Sequence, residues 1–419
     1  MNAIASSSSV GHDNLRLHIP EPHARPGDVP DFRDVIQATA STWRRPPIDT
    51  PARDMRDFPY GLIRVLDDTD TATGEWDPKL DAATLRQGLR MMMLTRAYDE
   101  RMVRMQRQGK SSFYMKCTGE EAVAVAAAIA LAPDDMCFPT YRQQGLLIAR
   151  DWPLSDMMNQ VYSNAADRLR GRQMPVFYSS RKAGFFSISG NLGTQYSQAV
   201  GWAMASAASH DRRIAAAWIG DGATAEGDFH YALTFAAVYR APVVLNIVNN
   251  QWAISSFSGL AGGEETTFAA RGLAYGLPAL RVDGNDFLAV YAATRWAADR
   301  ARNNLGATVI ELFTYRQDAH STSDDPTRYR PADEPRAWPL GDPIDRLKHH
   351  LIASGEWDEA RHVALSSDLV DHVKAEGKLS EAFGTLRSGP RLDRSSMFDD
   401  VYKEIPPHLA RQRREMLGQ

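Results

Sequence analysis

Residues 220–250 read GDGATAEGDFHYALTFAAVYRAPVVLNIVNN. An apolar run, Ile214 to Ile219, ends at Gly220-Asp221-Gly222, and a second, Val243 to Val248, ends at Asn249-Asn250. Asp221 and Asn250 are 250 − 221 = 29 residues apart. That is about one strand–helix–strand unit, with helix Glu226 to Tyr239 filling the interval. Such a crossover sets its two strands parallel, so both polar ends can reach the same rim of one sheet.

The alternation continues on both sides. A short strand at Met136 to Phe138 runs into PTYRQQG. Downstream come a helix near Phe268 to Tyr275, strand Leu280 to Val282, helix Phe287 to Asn303 and strand Thr308 to Tyr315. This predicts an α/β fold, a doubly wound and mostly parallel sheet flanked by helices. Ligands of such sheets bind beyond the carboxyl ends of the strands, where Asp221, Asn249, Asn250 and Arg316 stand. Ahead of the sheet, Leu85, Leu89, Met92, Met93, Tyr98, Met102 and Met105 recur at helical spacing. The stretch SISGNLGTQYSQAVGWAMASAAS is rich in Gly, Ala and Ser, which suits a close helix crossing.

Three regions follow. Residues 1–80 carry Pro20, Pro22, Pro26, Pro30, Pro46, Pro47, Pro51 and Pro59, and read as a solvated tail or as an extended proline-rich N-terminal arm on another subunit. Leu15, Leu17, Ile19, Phe32, Val35 and Ile36 favour the arm. Residues 81–340 hold the α/β domain, and 341–419 form a helical C-terminal extension packed on the core.

The chain has 419 residues, 43% hydrophobic and 24% charged, with a net charge of −4. It can bury a large core, and no basic surplus invites nucleic acid or an anionic membrane. The longest apolar run, Ala122 to Ala132, is too short to span a bilayer. No secretory signal is read at the N-terminus, and Cys117 and Cys137 have neither disulfide nor metal-site spacing, so a cytoplasmic location is expected.

Asp221, Asn250 and a nearby backbone carbonyl are hard oxygen donors. They carry too little charge for a bare divalent ion, but suit Mg²⁺ whose octahedron phosphate oxygens complete. Gly220 and Gly222 admit a phosphate to the backbone, and the following helix points its N–H groups at the same rim. A magnesium-bridged diphosphate is the expected guest. The bland alternative is an Asp capping a turn beside an Asn-Asn turn.

These residues resemble the thiamine diphosphate-binding motif. More widely, PTYRQQG, GRQMP, SISGNLGTQ, GDGATAEGDFH, NNQWAIS, RVDGND and TYRQDAHSTSDD resemble the alpha subunits of the decarboxylase component of branched-chain 2-oxo acid dehydrogenase complexes. The resemblance spans roughly Leu85 to Asp345. It implies magnesium held by Asp221, Asn250 and the backbone carbonyl of Trp252. It implies thiamine diphosphate bound by Tyr141, Arg142, Gly190, Gly222, Ala223 and Arg316, with Leu192 and Ile254 flanking the pyrimidine. Family members often have Glu at Asp221, and some have Arg at Val248. His320 resembles the active-site histidine, although Gln317-Asp318-Ala319 departs from the usual Gly before it. Ser189, Asn191, Thr194 and Gln195 match a potassium site of animal relatives, or simply cap a helix, and Ser321 aligns with their kinase-regulated serine.

The implied activity is oxidative decarboxylation of branched-chain 2-oxo acids with acyl transfer to lipoamide. The implied partners are a beta subunit completing an α2β2 enzyme, a lipoyl acyltransferase core and a small 2-oxo acid. The same chemistry on pyruvate or acetoin is the nearest alternative. A non-catalytic diphosphate-binding module is the alternative of another class.

Overall fold

A computed structural model describes residues 17–32, 38–390 and 393–419. Leu15, Val35 and Ile36 lie outside the described residues. The strands are β1 (Met136–Phe138), β2 (Ala215–Gly220), β3 (Val243–Asn249), β4 (Trp252–Ala253), β5 (Ser256–Phe257), β6 (Ala279–Asp283) and β7 (Thr308–Phe313). The helices are α1 (Ala82–Arg107), α2 (Glu121–Ala130), α3 (Gln144–Ala149), α4 (Leu154–Tyr162), α5 (Thr194–Ala208), α6 (Gly227–Val238), α7 (Arg271–Ala274), α8 (Phe287–Arg302), α9 (Glu334–Ala337), α10 (Pro343–Ala353), α11 (Glu359–Glu381) and α12 (Pro407–Leu417).

Five strands form one parallel sheet in the order β1-β2-β3-β7-β6, and β4-β5 is a separate hairpin. Side-chain alternation divides the sheet into two faces. Ala216, Trp218, Val244, Val248, Ile310 and Leu312 enter the larger core, with α1, α2 and α8. Ala215, Ala217, Ile219, Val243, Leu245 and Val309 enter the smaller one, with α5 and α6. Both faces are covered, so these strands are apolar at nearly every position. The expected doubly wound sheet is therefore present. Its β7 stops at Phe313, two residues short of the expected end, and the helix expected at 268–275 contracts to the single turn α7.

The segment before residue 80 packs on its own chain. Ile63 pairs with Val282 as a bridge on the edge of β6. Trp296 Nε1 donates to the carbonyl of Pro46 at 2.8 Å, and Phe32 sits edge-on to Tyr315 and Trp338. Leu17 and Ile19 remain 93% and 69% exposed.

The C-terminal extension is tied down by a buried charge cluster. Arg346 Nη1 on α10 donates to Asp283 Oδ2 at 2.8 Å, and Nη2 donates to the carbonyl of Leu66 at 3.1 Å. Asp286 accepts from the backbone of Val65 and Leu66 at 2.8 and 2.6 Å. The RVDGND stretch thus joins the pre-80 segment, the sheet and the C-terminal helices. Arg346→Met should destabilise the protein by about 3–5 kcal/mol, because it removes the hydrogen-bonded cation of buried Asp283 and leaves only Arg64, 3.5 Å away. Urea unfolding would measure this, and a loss below about 1 kcal/mol would refute the account.

Candidate active site

A cavity of about 400 Å³ opens where the carboxyl ends of β2 and β3 meet. Its walls include Gly220, Asp221, Gly222, Ala223, Asn250, Trp252, Ile254, Tyr141, Arg142 and His320. These come from segments up to more than a hundred residues apart, gathered because they follow β1, β2, β3 and β7, parallel neighbours in the sheet.

Asp221 ends β2 and is buried. Its Oδ1 accepts from the N–H of Gly222 at 2.9 Å, while Oδ2 has no partner among the described residues. Burial pushes this carboxyl up to about 7, against the pull of the Gly222 N–H and Arg316. A group whose pKa rises on folding stabilises fully below its unfolded value near 4 and loses that contribution as pH rises through the folded value. Asn at this site lacks the penalty. The stability advantage of Asp221→Asn over wild type should therefore grow from about pH 4 through 7, then level off. Paired thermal melts from pH 5 to 8 without metal or cofactor would test this. A constant difference would overturn it.

The two asparagines part company. Asn249 Nδ2 donates to buried Glu311 at 2.8 Å, away from the cavity. Asn250 lines the cavity, and its Nδ2 donates to Glu120 at 2.9 Å. The Trp252 carbonyl accepts from Arg316 Nη1 at 2.9 Å. Gly220 faces open space where a Cβ would stand. An unpartnered carboxylate oxygen, an oriented amide and open space at Gly220 fit a magnesium-bound diphosphate, while Gly222 leaves room only for its close neighbour Ala253.

Arg142 is buried, and its Nη2 donates to Nδ1 of His320 at 3.0 Å and to the His320 carbonyl at 2.6 Å. Its Nη1 reaches the carbonyl of Lys116. Guanidinium has no acceptor, so Nδ1 must accept and the ring proton belongs on Nε2. Burial, then Arg142 and Arg316, push the His320 imidazole down to about 3, so it is neutral at pH 7. Tyr141 stands edge-on to His320 and parallel to Phe177.

The histidine loop is well anchored despite its unusual sequence. His320 N donates to Asp324 Oδ2 at 2.7 Å. Arg330 Nη2 holds the carbonyls of Gln317 and Asp318 at 2.8 and 3.1 Å. Lys116 pairs with Asp318 at 2.6 Å.

Arg316 stands behind the wall rather than on it. Its Nη2 donates to the Ile254 carbonyl and to Tyr329 Oη, both at 2.8 Å. Ile254 has φ 58, a left-handed conformation costly for a β-branched residue, and this bond helps hold it there. Leu192 and Ile254 project into the opening, 51% and 54% exposed.

Ser189 and Gln195 line the cavity. Asn191 and Thr194 are joined locally, Thr194 Oγ1 donating to the Asn191 carbonyl at 3.0 Å, but α5 has Gly193 as its N-cap with no side-chain cap bond. Gln195 Oε1 is buried without a partner. Gly190 lies on the same loop, where a Cβ would touch Phe177 at 3.4 Å.

The profile described as "Dehydrogenase E1 component" matches residues 89–387, and "2-oxoisovalerate dehydrogenase E1 alpha subunit N terminal" matches residues 13–53. The chain is 58% identical over 405 residues to the 2-oxoisovalerate dehydrogenase subunit alpha of Pseudomonas aeruginosa, covering 97% of this chain and 99% of that one. The chain belongs to the alpha subunits of 2-oxoisovalerate dehydrogenase. The human mitochondrial alpha subunit is 40% identical over 342 residues, covering 81% of this chain and 75% of that one. The Caenorhabditis elegans protein of the same name is 38% identical over 371 residues, covering 88% and 83%.

In this alpha subunit, sequence reading passed over Glu120. It is 1% exposed, lines the cavity and holds Asn250. A glutamate opening a helix carries no local signal of such a role. Only its packing against the end of β3 reveals it.

Proposed function

We propose that this chain is the alpha half of a thiamine diphosphate-dependent enzyme that oxidatively decarboxylates branched-chain 2-oxo acids and passes the acyl group to lipoamide. Its membership of the E1 alpha subunits supports the activity and the cofactor. The observation that carries the site is the buried Oδ2 of Asp221, without a partner among the described residues, next to the open Gly220. Asp221, Asn250 and the Trp252 carbonyl would hold Mg²⁺, with Tyr141, Arg142 and the backbone at Gly222 and Ala223 around the diphosphate. Arg316 would act through its charge and by supporting the wall at Ile254. Bound cofactor supplies the carbon that attacks the 2-oxo group and the electron sink for loss of carbon dioxide.

The protein's own steps are binding and proton handling. The Arg142 bond holds the His320 ring with Nε2–H free to donate. Negative charge entering the cavity offsets both guanidiniums, so the imidazole's proton affinity rises when the site fills. His320 can then stabilise developing charge through Nε2–H, and it can deliver that proton to the lipoyl sulfur once Nδ1 takes up a proton and lets go of Arg142.

A beta subunit would complete the enzyme as α2β2, with a lipoyl acyltransferase core as further partner. Tyr231, Phe235 and Val238 on α6, with Tyr239 at its C-cap, form an exposed apolar face, which supports burial by another chain. A K⁺ ion would sit on the Ser189–Gln195 loop, using the free Gln195 Oε1. No helix among the described residues is long and apolar enough to cross a membrane, and the proposed location is the cytoplasm.

The test is decarboxylation by the assembled enzyme. The ratio of kcat/KM for 3-methyl-2-oxobutanoate over pyruvate should reach about 30-fold or more, since the branched acid carries two extra carbons and each contributes about 1–3 kcal/mol in an apolar pocket. A preference for pyruvate would overturn the substrate assignment.

A further inference from the structure

Glu120 and Glu121 are sequence neighbours with opposite surroundings. Both are buried. Glu121 is satisfied, with Oε1 paired to Arg96 at 2.7 Å and Oε2 accepting from the N–H of Gly119 at 2.9 Å. Glu120 is half satisfied. Its Oε1 accepts from Asn250 Nδ2, and its Oε2 is buried without a partner. Its closest cation, Arg142 Nε, is 3.9 Å away, beyond hydrogen-bond range. Glu120 stands at the N-cap of α2 yet makes no side-chain cap bond. The fold gains nothing from Oε2, and a buried unpaired carboxylate oxygen is costly.

The same cavity holds the other buried carboxylate oxygen without a partner among the described residues, Asp221 Oδ2. Asn250, on the wall of the same cavity, is the shared element: a donor to Glu120 and, with Asp221, a proposed metal ligand, its Oδ1 accepting a long bond from the Trp252 N–H at 3.3 Å. Glu120 can only accept from the amide nitrogen, so it turns Asn250 Oδ1, the atom able to bind a cation, the opposite way. Mg²⁺ keeps several of its waters even when bound, and those waters need acceptors.

We propose that Glu120 is a positioning residue of the magnesium site, with Oε1 setting the Asn250 amide and Oε2 accepting a hydrogen bond from a magnesium-bound water. This rests on the diphosphate site proposed above. Groups of this kind, which orient metal ligands without touching the metal, change metal affinity by about 10- to 100-fold.

The experiment is a Mg²⁺ titration of the enzyme purified with its partner chain, at fixed thiamine diphosphate, followed by tryptophan fluorescence. Glu120→Gln keeps an acceptor for Asn250 but removes the charge. Glu120→Asp keeps the charge but withdraws it from Asn250. Each should raise the Mg²⁺ concentration at half-saturation by about 10- to 100-fold. The melting temperature of metal-free Glu120→Gln should stay level or rise, which a merely structural glutamate would not show. Asp221→Asn is the control. If it weakens Mg²⁺ binding while both Glu120 variants stay within about threefold of wild type, the Glu120 role is refuted and the site stands. If Asp221→Asn also has no effect, the site reading itself fails. If neither Glu120 variant folds with the partner chain, Glu120 is structural and the proposal falls.

Discussion

Replacing Asp221 by alanine is expected to weaken thiamine diphosphate binding by about 10²- to 10³-fold at fixed Mg²⁺. The estimate follows from the cost of removing one buried charged partner, about 3–5 kcal/mol, at about 1.4 kcal/mol per tenfold. The residue stands at the end of β2, buried, with one carboxylate oxygen on the Gly222 N–H and the other on nothing. That second oxygen is an expense in the empty protein. The alanine variant should therefore melt no lower than wild type in the absence of metal and cofactor. A calorimetric titration of the assembled enzyme with thiamine diphosphate would measure the loss. Affinity within about threefold of wild type would put the diphosphate elsewhere.

His320→Ala should lower acyl transfer to lipoamide by about 10²- to 10⁴-fold, the range for removing a positioned proton donor. Cofactor affinity should change by less than about tenfold, because in the proposed arrangement His320 would face the reacting end and Asp221 the phosphates. Two rates separate the possible roles. One is decarboxylation with an artificial electron acceptor, and the other is acylation of a lipoyl domain. Loss of only the second would place His320 at the lipoyl sulfur, and loss of both would place it at the developing charge on the 2-oxo acid. Full retention of both rates would remove His320 from the chemistry and leave it a structural part of the cavity wall. Because His320 is neutral in the empty site, removing it should not raise stability at pH 7 or above.

Local patterns in the chain determined a good deal. Strand and helix alternation set the class of fold, since a 29-residue interval from Asp221 to Asn250 leaves room for one crossover and little else. The same interval put the two residues on one rim, and the cavity lies there. The motifs from PTYRQQG to TYRQDAHSTSDD pointed to the family to which the chain belongs. These signals are short-range: periodicity, strand ends and turn glycines are written within a few residues of where they act.

Tertiary structure decided what depends on distant partners. Glu120 meets Asn250 across 130 residues, and Arg142 meets His320 across 178. No spacing rule links such pairs, because the sheet order β1-β2-β3-β7-β6 brings them together. The same holds for Arg316, which follows a strand as expected but turns behind the wall to hold Trp252 and Ile254. It holds for Asn249 and Asn250, adjacent and identical, which the strand's alternation sends to opposite surroundings. Side-chain type and spacing specify which groups reach a rim. Which of them faces the cavity, and which supports it from behind, is set by packing, where every buried polar atom must find a partner in the fold or await one from outside it.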